Sequence, residues 1–222
     1  ELHHMNTYIE SLVGFSAGTI EGTIRTLGKL CDYALANGYH HTSYANALPH
    51  VRRTNVRRLP TVFTPDEVER ILSQVDRSNP LGKRNYAILL LVAKTGLRIG
   101  DVRQLRFENI DWKNKEISIL QGKTGVPLQL PLLEDVGWAI IDYLQHGRPE
   151  TSSPHIFVRH LAPFEAFGGS MQKVVLKLVS KAGIHVPADK PIGMHSFRHS
   201  IATSMLENGA DLIDIAQTLG HT

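Results

Sequence analysis

Residues Glu116 to Leu132 read E-I-S-I-L-Q-G-K-T-G-V-P-L-Q-L-P-L. Apolar positions alternate in E-I-S-I-L (Glu116 to Leu120) and again in V-P-L-Q-L-P-L (Val126 to Leu132), the period of a strand with one buried face. The residues between them, Q-G-K-T-G, carry two glycines and read as a hairpin loop with Lys123 at its tip. On both sides of this stretch the apolar spacing is helical. The expected fold is therefore mainly α (α+β), with helices around a small antiparallel β-sheet.

Working towards the amino end, the period changes at Asp111-Trp112. A strongly apolar helix is expected from about Gly82 to Lys94, with Gly96 as its left-handed stop. Before it, T-P-D-E (Thr64 to Glu67) is a helix start: Thr64 suits the N-cap, Pro65 the first turn and Glu67 the reciprocal cap. Val68, Ile71, Leu72 and Val75 share one face of that helix. H-V-R-R-T-N-V-R-R-L lies between Pro49 and Pro60 and holds Arg52, Arg53, Arg57 and Arg58 with no acid. Prolines and the lack of periodicity make it an extended linker, and its charge suits an anionic surface. The first four dozen residues read as helices; Ile20, Ile24, Leu27, Leu30, Cys31, Ala34 and Leu35 recur at helical spacing until Asn37-Gly38.

Towards the carboxyl end, Leu133, Val136, Ile140, Ile141 and Leu144 form one stripe, and Met171, Val174, Val175, Leu178 and Val179 another. Between them, Pro149 to Ser170 reads as loop with at most one short strand, H-I-F-V. The last stretch reads as two helices around N-G-A-D.

Composition narrows the class. The 222 residues are 42% hydrophobic and 20% charged, ordinary globular usage that excludes a disordered or fibrous chain. No apolar run approaches the roughly 18 residues of a membrane span, and no basic-then-apolar leader opens the sequence, so no membrane partner and a cytoplasmic location are expected. The lone Cys31 excludes an internal disulfide and a cysteine-rich zinc cluster and fits a reducing compartment. A net charge of +3 only weakly favours an acidic partner such as nucleic acid.

Four features carry chemistry: Arg98 in T-G-L-R-I-G-D, Lys123 at the hairpin tip, His195, Arg198 and His199 in H-S-F-R-H, and His221 in L-G-H-T. Each alone is commonplace; an arginine after a glycine cap or a hairpin-tip lysine is usually just solvated. Together they suit a phosphodiester. Guanidinium groups match the extra charge on its non-bridging oxygens, a lysine can protonate a leaving alkoxide, and a histidine can move a proton at neutral pH.

These boxes resemble those of the tyrosine recombinase (phage integrase) family. T-G-L-R-x-x-[ED] is matched by Thr95 to Asp101, the hairpin lysine by Lys123, H-x-L-R-H by His195 to His199 with Phe197 for leucine, and L-G-H by Leu219 to His221. The resemblance implies a partial helical core-binding (DNA-binding) domain over residues 1–55, a basic linker over 49–63, and a catalytic domain over 60–222. It implies that Arg98 and Arg198 clamp a scissile phosphate, Lys123 protonates the leaving 5′-oxygen, His195 assists the nucleophile's proton, and His221 bonds a phosphate oxygen. Asp101 and His199 are supporting residues, His199 by packing and hydrogen bonding within the fold, and Arg52, Arg53, Arg57 and Arg58 contact DNA. The implied activity is site-specific recombination for a mobile element, through a 3′-phosphotyrosine, without metal or other cofactor. The implied partners are double-stranded DNA and three further copies of the protein.

One feature departs from the family. Its nucleophile is a tyrosine a short way beyond the last histidine box, and none of Tyr8, Tyr33, Tyr39, Tyr44, Tyr86 and Tyr143 stands there. A trimmed chain is expected, with a recombinase homologue lacking catalysis as the alternative. A type IB topoisomerase uses a similar residue set, but the T-G-L-R and L-G-H wording favours a recombinase. Two rivals come from other classes. A helix-turn-helix regulator needs a polar or basic reading helix, whereas the second helix here carries Asp211 and Asp214 and no Lys or Arg. A zinc enzyme using His195 and His199 wants Glu after the first histidine, and Ser196 stands there.

Overall fold

The computed structural model describes residues 2–51, 59–187 and 190–220. The chain divides into two compact units, Glu1–Arg57 and Arg58–Thr222. Among the described residues the fold is helical with a single three-stranded antiparallel sheet, the class expected from the apolar periods.

In the first unit, α1 (Leu2–Glu10) packs on α2 (Ala17–Ala36). Ser16 caps α2 by accepting from the Thr19 N–H, and Asn37 ends it, as the Asn-Gly pair predicts. Cys31 and Leu48 are buried, while Leu30, Tyr33 and Tyr39 are exposed.

The second unit begins with α3 (Pro65–Ser73), whose capping box forms as read: the Thr64 N–H donates to Glu67 Oε2 and the Glu67 N–H to Thr64 Oγ1. α4 (Pro80–Thr95) is capped by Asn79 and buries every residue from Ala87 to Val92. It is apolar all round because it is the central helix, packed on both α6 (Glu134–His146) and α8 (Met194–Glu207). After α5 (Ile99–Gln104) come β1 (Ile110–Asp111), β2 (Glu116–Leu120) and β3 (Pro127–Pro131), paired in that order. The β2–β3 register pairs Ile117 with Leu130 and Ile119 with Leu128, which puts those apolar residues on the buried face. The remaining helices are α7 (Gln172–Lys181) and α9 (Leu212–Leu219).

Two local expectations differ from the structure, and a third is made definite by it. β1 is a third strand that was not anticipated, because two residues are too few to display a period. H-I-F-V forms no strand; Ile156, Phe157 and Val158 are buried through single bonds, such as the Ile156 N–H to the Leu105 carbonyl, and through Phe157 stacking on Tyr143. On α6 the buried face includes Tyr143, while Leu133 sits at the N-cap and is exposed. The Tyr143 hydroxyl is the reason the pattern hid it: the ring is core, and the oxygen accepts from the Val158 N–H.

Candidate active site

Gly96 ends α4 with φ +67°, a left-handed turn that side chains rarely adopt and into which a Cβ would strike Leu219. The turn delivers Arg98 to the N-cap of α5, with Asp101 in the following helical turn. Arg98 donates from Nη1 to Gln121 Oε1 at 2.8 Å and from Nη2 to the Gly220 carbonyl at 3.2 Å. Asp101 is buried, and its Oδ1 accepts from the Gly122 N–H at 2.9 Å. Its Oδ2 is buried with no hydrogen-bond partner among the described residues.

Arg198 lies on the buried side of α8, next to Phe197, which packs against Phe63 at 5.4 Å between ring centroids. Its Nη1 donates to the Gly96 carbonyl and its Nη2 to the Leu219 carbonyl, both at 2.6 Å. Burial, then the charge of Arg98, pushes Arg198 down to about 10, with Asp101 acting the other way. It remains a cation at neutral pH. Among the described residues the two guanidinium groups are held by neutral acceptors, the Gln121 amide oxygen and the Gly96, Leu219 and Gly220 carbonyls.

Arg98, Lys123, Thr124, His195, Arg198, His199, Ala202 and Leu219 line a single cleft of about 430 Å³. Lys123 reaches it from the exposed hairpin tip. His195 and His199, one helical turn apart on α8, line it as well. His199 faces the cleft and solvent and makes no hydrogen bond among the described residues, which differs from the packed, hydrogen-bonded role expected of it. Burial, then the nearby His195 and Arg198 charges, holds the His199 imidazole below its ordinary range, so it is neutral near pH 7.

The structure therefore brings Arg98, Lys123, His195, Arg198 and His199 to one cleft, with Asp101 behind it. His221, and Arg52, Arg53, Arg57 and Arg58, lie outside the described residues. Sequence reasoning missed Gln121 and Thr124. The signal for Gln121 was present: Ile117 and Ile119 point inward, so the alternation carries residue 121 inward too, and a polar residue there needs partners. A cleft of about 460 Å³ lined by Glu69, Arg77, Tyr86, Lys94 and Asp135 has its charges engaged locally, Lys94 with Asp135 and Arg77 over the Tyr86 ring. No three His, Cys, Asp or Glu side chains gather as a ligand set among the described residues.

A helical domain whose lysine-tipped hairpin and two arginines line one cleft is the class that this fold and cleft define. Residues 61–222 match the sequence model of the Phage integrase family, and the chain belongs to that family. It is 38% identical over 197 residues to "Putative integrase/recombinase y4rA" of Sinorhizobium fredii, covering 88% of this chain and 47% of that one. It is 33% identical over 168 residues to the tyrosine recombinase XerD of Listeria innocua, covering 73% of this chain and 54% of that one. The chain thus spans about half the length of these curated relatives. Among solved structures, the XerH site-specific recombinase bound to its difH substrate in a pre-cleavage complex superposes with a TM-score of 0.73. That match covers 99% of this chain and 63% of that one at 21% identity, a likeness of fold. No helix of the described residues is long and apolar enough to cross a membrane.

Proposed function

We propose that the protein is a site-specific DNA recombinase of a mobile element, acting on double-stranded DNA by transesterification in the cytoplasm. The observation that carries this reading is the meeting of Arg98, Lys123, His195 and Arg198, from three separate sequence boxes, around one cleft. Membership of the phage integrase family supports it.

In this reading Arg98 and Arg198 hold the non-bridging oxygens of the scissile phosphate and stabilise the charge that grows on them. A tyrosine hydroxyl attacks phosphorus; in the family that tyrosine follows the residue matched by His221, and it is not among residues 1–222. His195 takes the hydroxyl proton, the bond from phosphorus to the 5′-oxygen breaks, and Lys123 gives that oxygen a proton. The 3′-phosphotyrosine keeps the energy of the broken link, and a 5′-hydroxyl from a partner strand reverses the step. No metal or nucleotide takes part. Asp101 supports the hairpin, and His221 bonds a phosphate oxygen. Residues 1–55 act as part of a core-binding domain, the arginines of the 49–63 linker lie along phosphates, and residues 60–222 catalyse. Four copies assemble on two synapsed duplexes.

The joining half of this chemistry tests the reading without the tyrosine. Duplexes enriched by the protein from a randomised library would be rebuilt with one strand ending in a 3′-(p-nitrophenyl) phosphate beside a 5′-hydroxyl strand. The expected result is a joined strand with release of nitrophenolate in equal amount, on enriched duplexes only. Enrichment without joining would leave a DNA-binding relative that has lost its chemistry, and relaxation of supercoiled DNA without site preference by the tyrosine-bearing protein would favour a topoisomerase.

A further inference from the structure

We propose that Gln121 is a positioning residue: its buried side-chain amide fixes the Arg98 guanidinium and the carboxyl end of α9 relative to the lysine hairpin. The proposal rests on the recombinase reading above and deepens it.

Gln121 is 1% exposed. Its Oε1 accepts from Arg98 Nη1 and from Thr124 Oγ1, each at 2.8 Å, and its Nε2 donates to the Leu219 carbonyl at 3.3 Å. Only one orientation of the amide serves a guanidinium and a carbonyl in this way, so these partners fix which end is oxygen. The same Leu219 oxygen accepts from Arg198 Nη2. One side chain therefore touches Arg98 directly and shares an acceptor with Arg198. Its backbone closes the loop around Lys123, because the Gln121 N–H donates to the Val126 carbonyl and its carbonyl accepts from the Gly125 N–H. At Gly220, φ is +62° and a Cβ would overlap the Gln121 amide, so the α9 terminus is fitted to this residue.

The chemistry of the amide suits the task. A carboxylate here would place a full negative charge on Arg98, in competition with the phosphate, and would repel the Leu219 carbonyl. An apolar side chain would leave a buried carbonyl without one of its donors and Arg98 without its stop. A neutral group with both an acceptor and a donor avoids both faults.

The test is a double-mutant cycle on the joining reaction, with Gln121→Met (equal length, no polar ends), Arg98→Ala and the pair. The probe is the aryl-phosphate duplex. Gln121→Met is expected to slow joining at saturating duplex by about tenfold to a hundredfold, the usual effect of a slightly misplaced catalytic group, with Kd for the duplex changed less than about twofold. In the Arg98→Ala background the same change is expected to cost less than about twofold, since there is no guanidinium left to position. A wild-type rate for Gln121→Met, or losses that multiply in the double variant, would overturn the proposal. If Gln121→Met does not fold, Gln121→Leu, smaller and also without polar ends, carries the same cycle with the same criteria. If the wild-type protein joins nothing, the recombinase reading fails, and the ¹⁵N spectrum of the arginine side chains decides the positioning claim alone. Restricted rotation of the Arg98 Nη groups that is lost in Gln121→Met upholds it; identical spectra overturn it.

Discussion

Asp101 Oδ1 accepts a hydrogen bond from the Gly122 N–H at 2.9 Å, and this contact, beside that of Arg98 with Gln121, ties the start of α5 to the hairpin that carries Lys123. The carboxylate is buried, and Lys123 is the next residue after the tethered amide. Asp101→Ala removes the acceptor and leaves the amide without it, a cost of about 1 to 3 kcal/mol. Urea unfolding is expected to register that loss, and joining to slow by about tenfold as the lysine loses its anchor. A joining rate equal to the wild type would separate Asp101 from the function of the hairpin.

Arg98→Ala and Arg198→Ala are both expected to slow joining by about a hundredfold to a thousandfold, to a residual rate that can still be measured, while duplex binding persists. Their effects on stability differ. Arg198 is buried and donates to the Gly96 and Leu219 carbonyls, so its loss is expected to cost about 2 to 4 kcal/mol in urea unfolding. Arg98 is only half-buried, and Arg98→Ala is expected to stay within about 1 kcal/mol of the parent protein. Loss of duplex binding to the level of unfolded protein would contradict the phosphate-clamp roles.

Acid is expected to weaken the fold through histidines. Burial is the leading cause that holds His155, His160 and His199 below their ordinary 6.5. Each binds a proton less readily folded than unfolded, so the folded state takes up fewer protons as the pH falls below 6.5. Stability is complete above that value and is lost as the pH drops through the lower folded values. Urea midpoints measured from about pH 7 to about pH 5 are expected to decline, and His160→Gln to make the decline shallower. A flat wild-type profile would count against it.

The linker arginines are testable by salt. If Arg52, Arg53, Arg57 and Arg58 each meet one phosphate, replacing all four by alanine makes the slope of log K against log salt shallower by about 3 to 4. An unchanged slope would mean that the linker does not touch the backbone of the duplex.

Much of this architecture is written in local chemistry. The Thr64–Glu67 capping box, the Asn37 and Gly96 stops and the alternation around Lys123 all appear in the structure because each is settled within a few residues. What escaped depends on contacts distant in sequence. Ile110-Asp111 becomes a strand only because Ile117 and Glu116 lie beside it. Tyr143 joins the core where Phe157 stacks on its ring and its hydroxyl accepts from the Val158 N–H. His199 shows the reverse: i, i+4 spacing placed it beside His195, but whether it packs or faces the cleft is decided by where the hairpin and α9 lie.

Each of the two arginines takes one of its acceptors from the end of α9, which the chain supplies late. Arg98 reaches Gly220 across 122 residues, and Arg198 bridges Gly96 and Leu219. A growing polypeptide that has released α8, but not α9, holds both guanidinium groups without these two acceptors. The final geometry of the cleft is thereby made conditional on α9 having docked, and a partly made or partly unfolded copy does not hold the two arginines in the arrangement seen here.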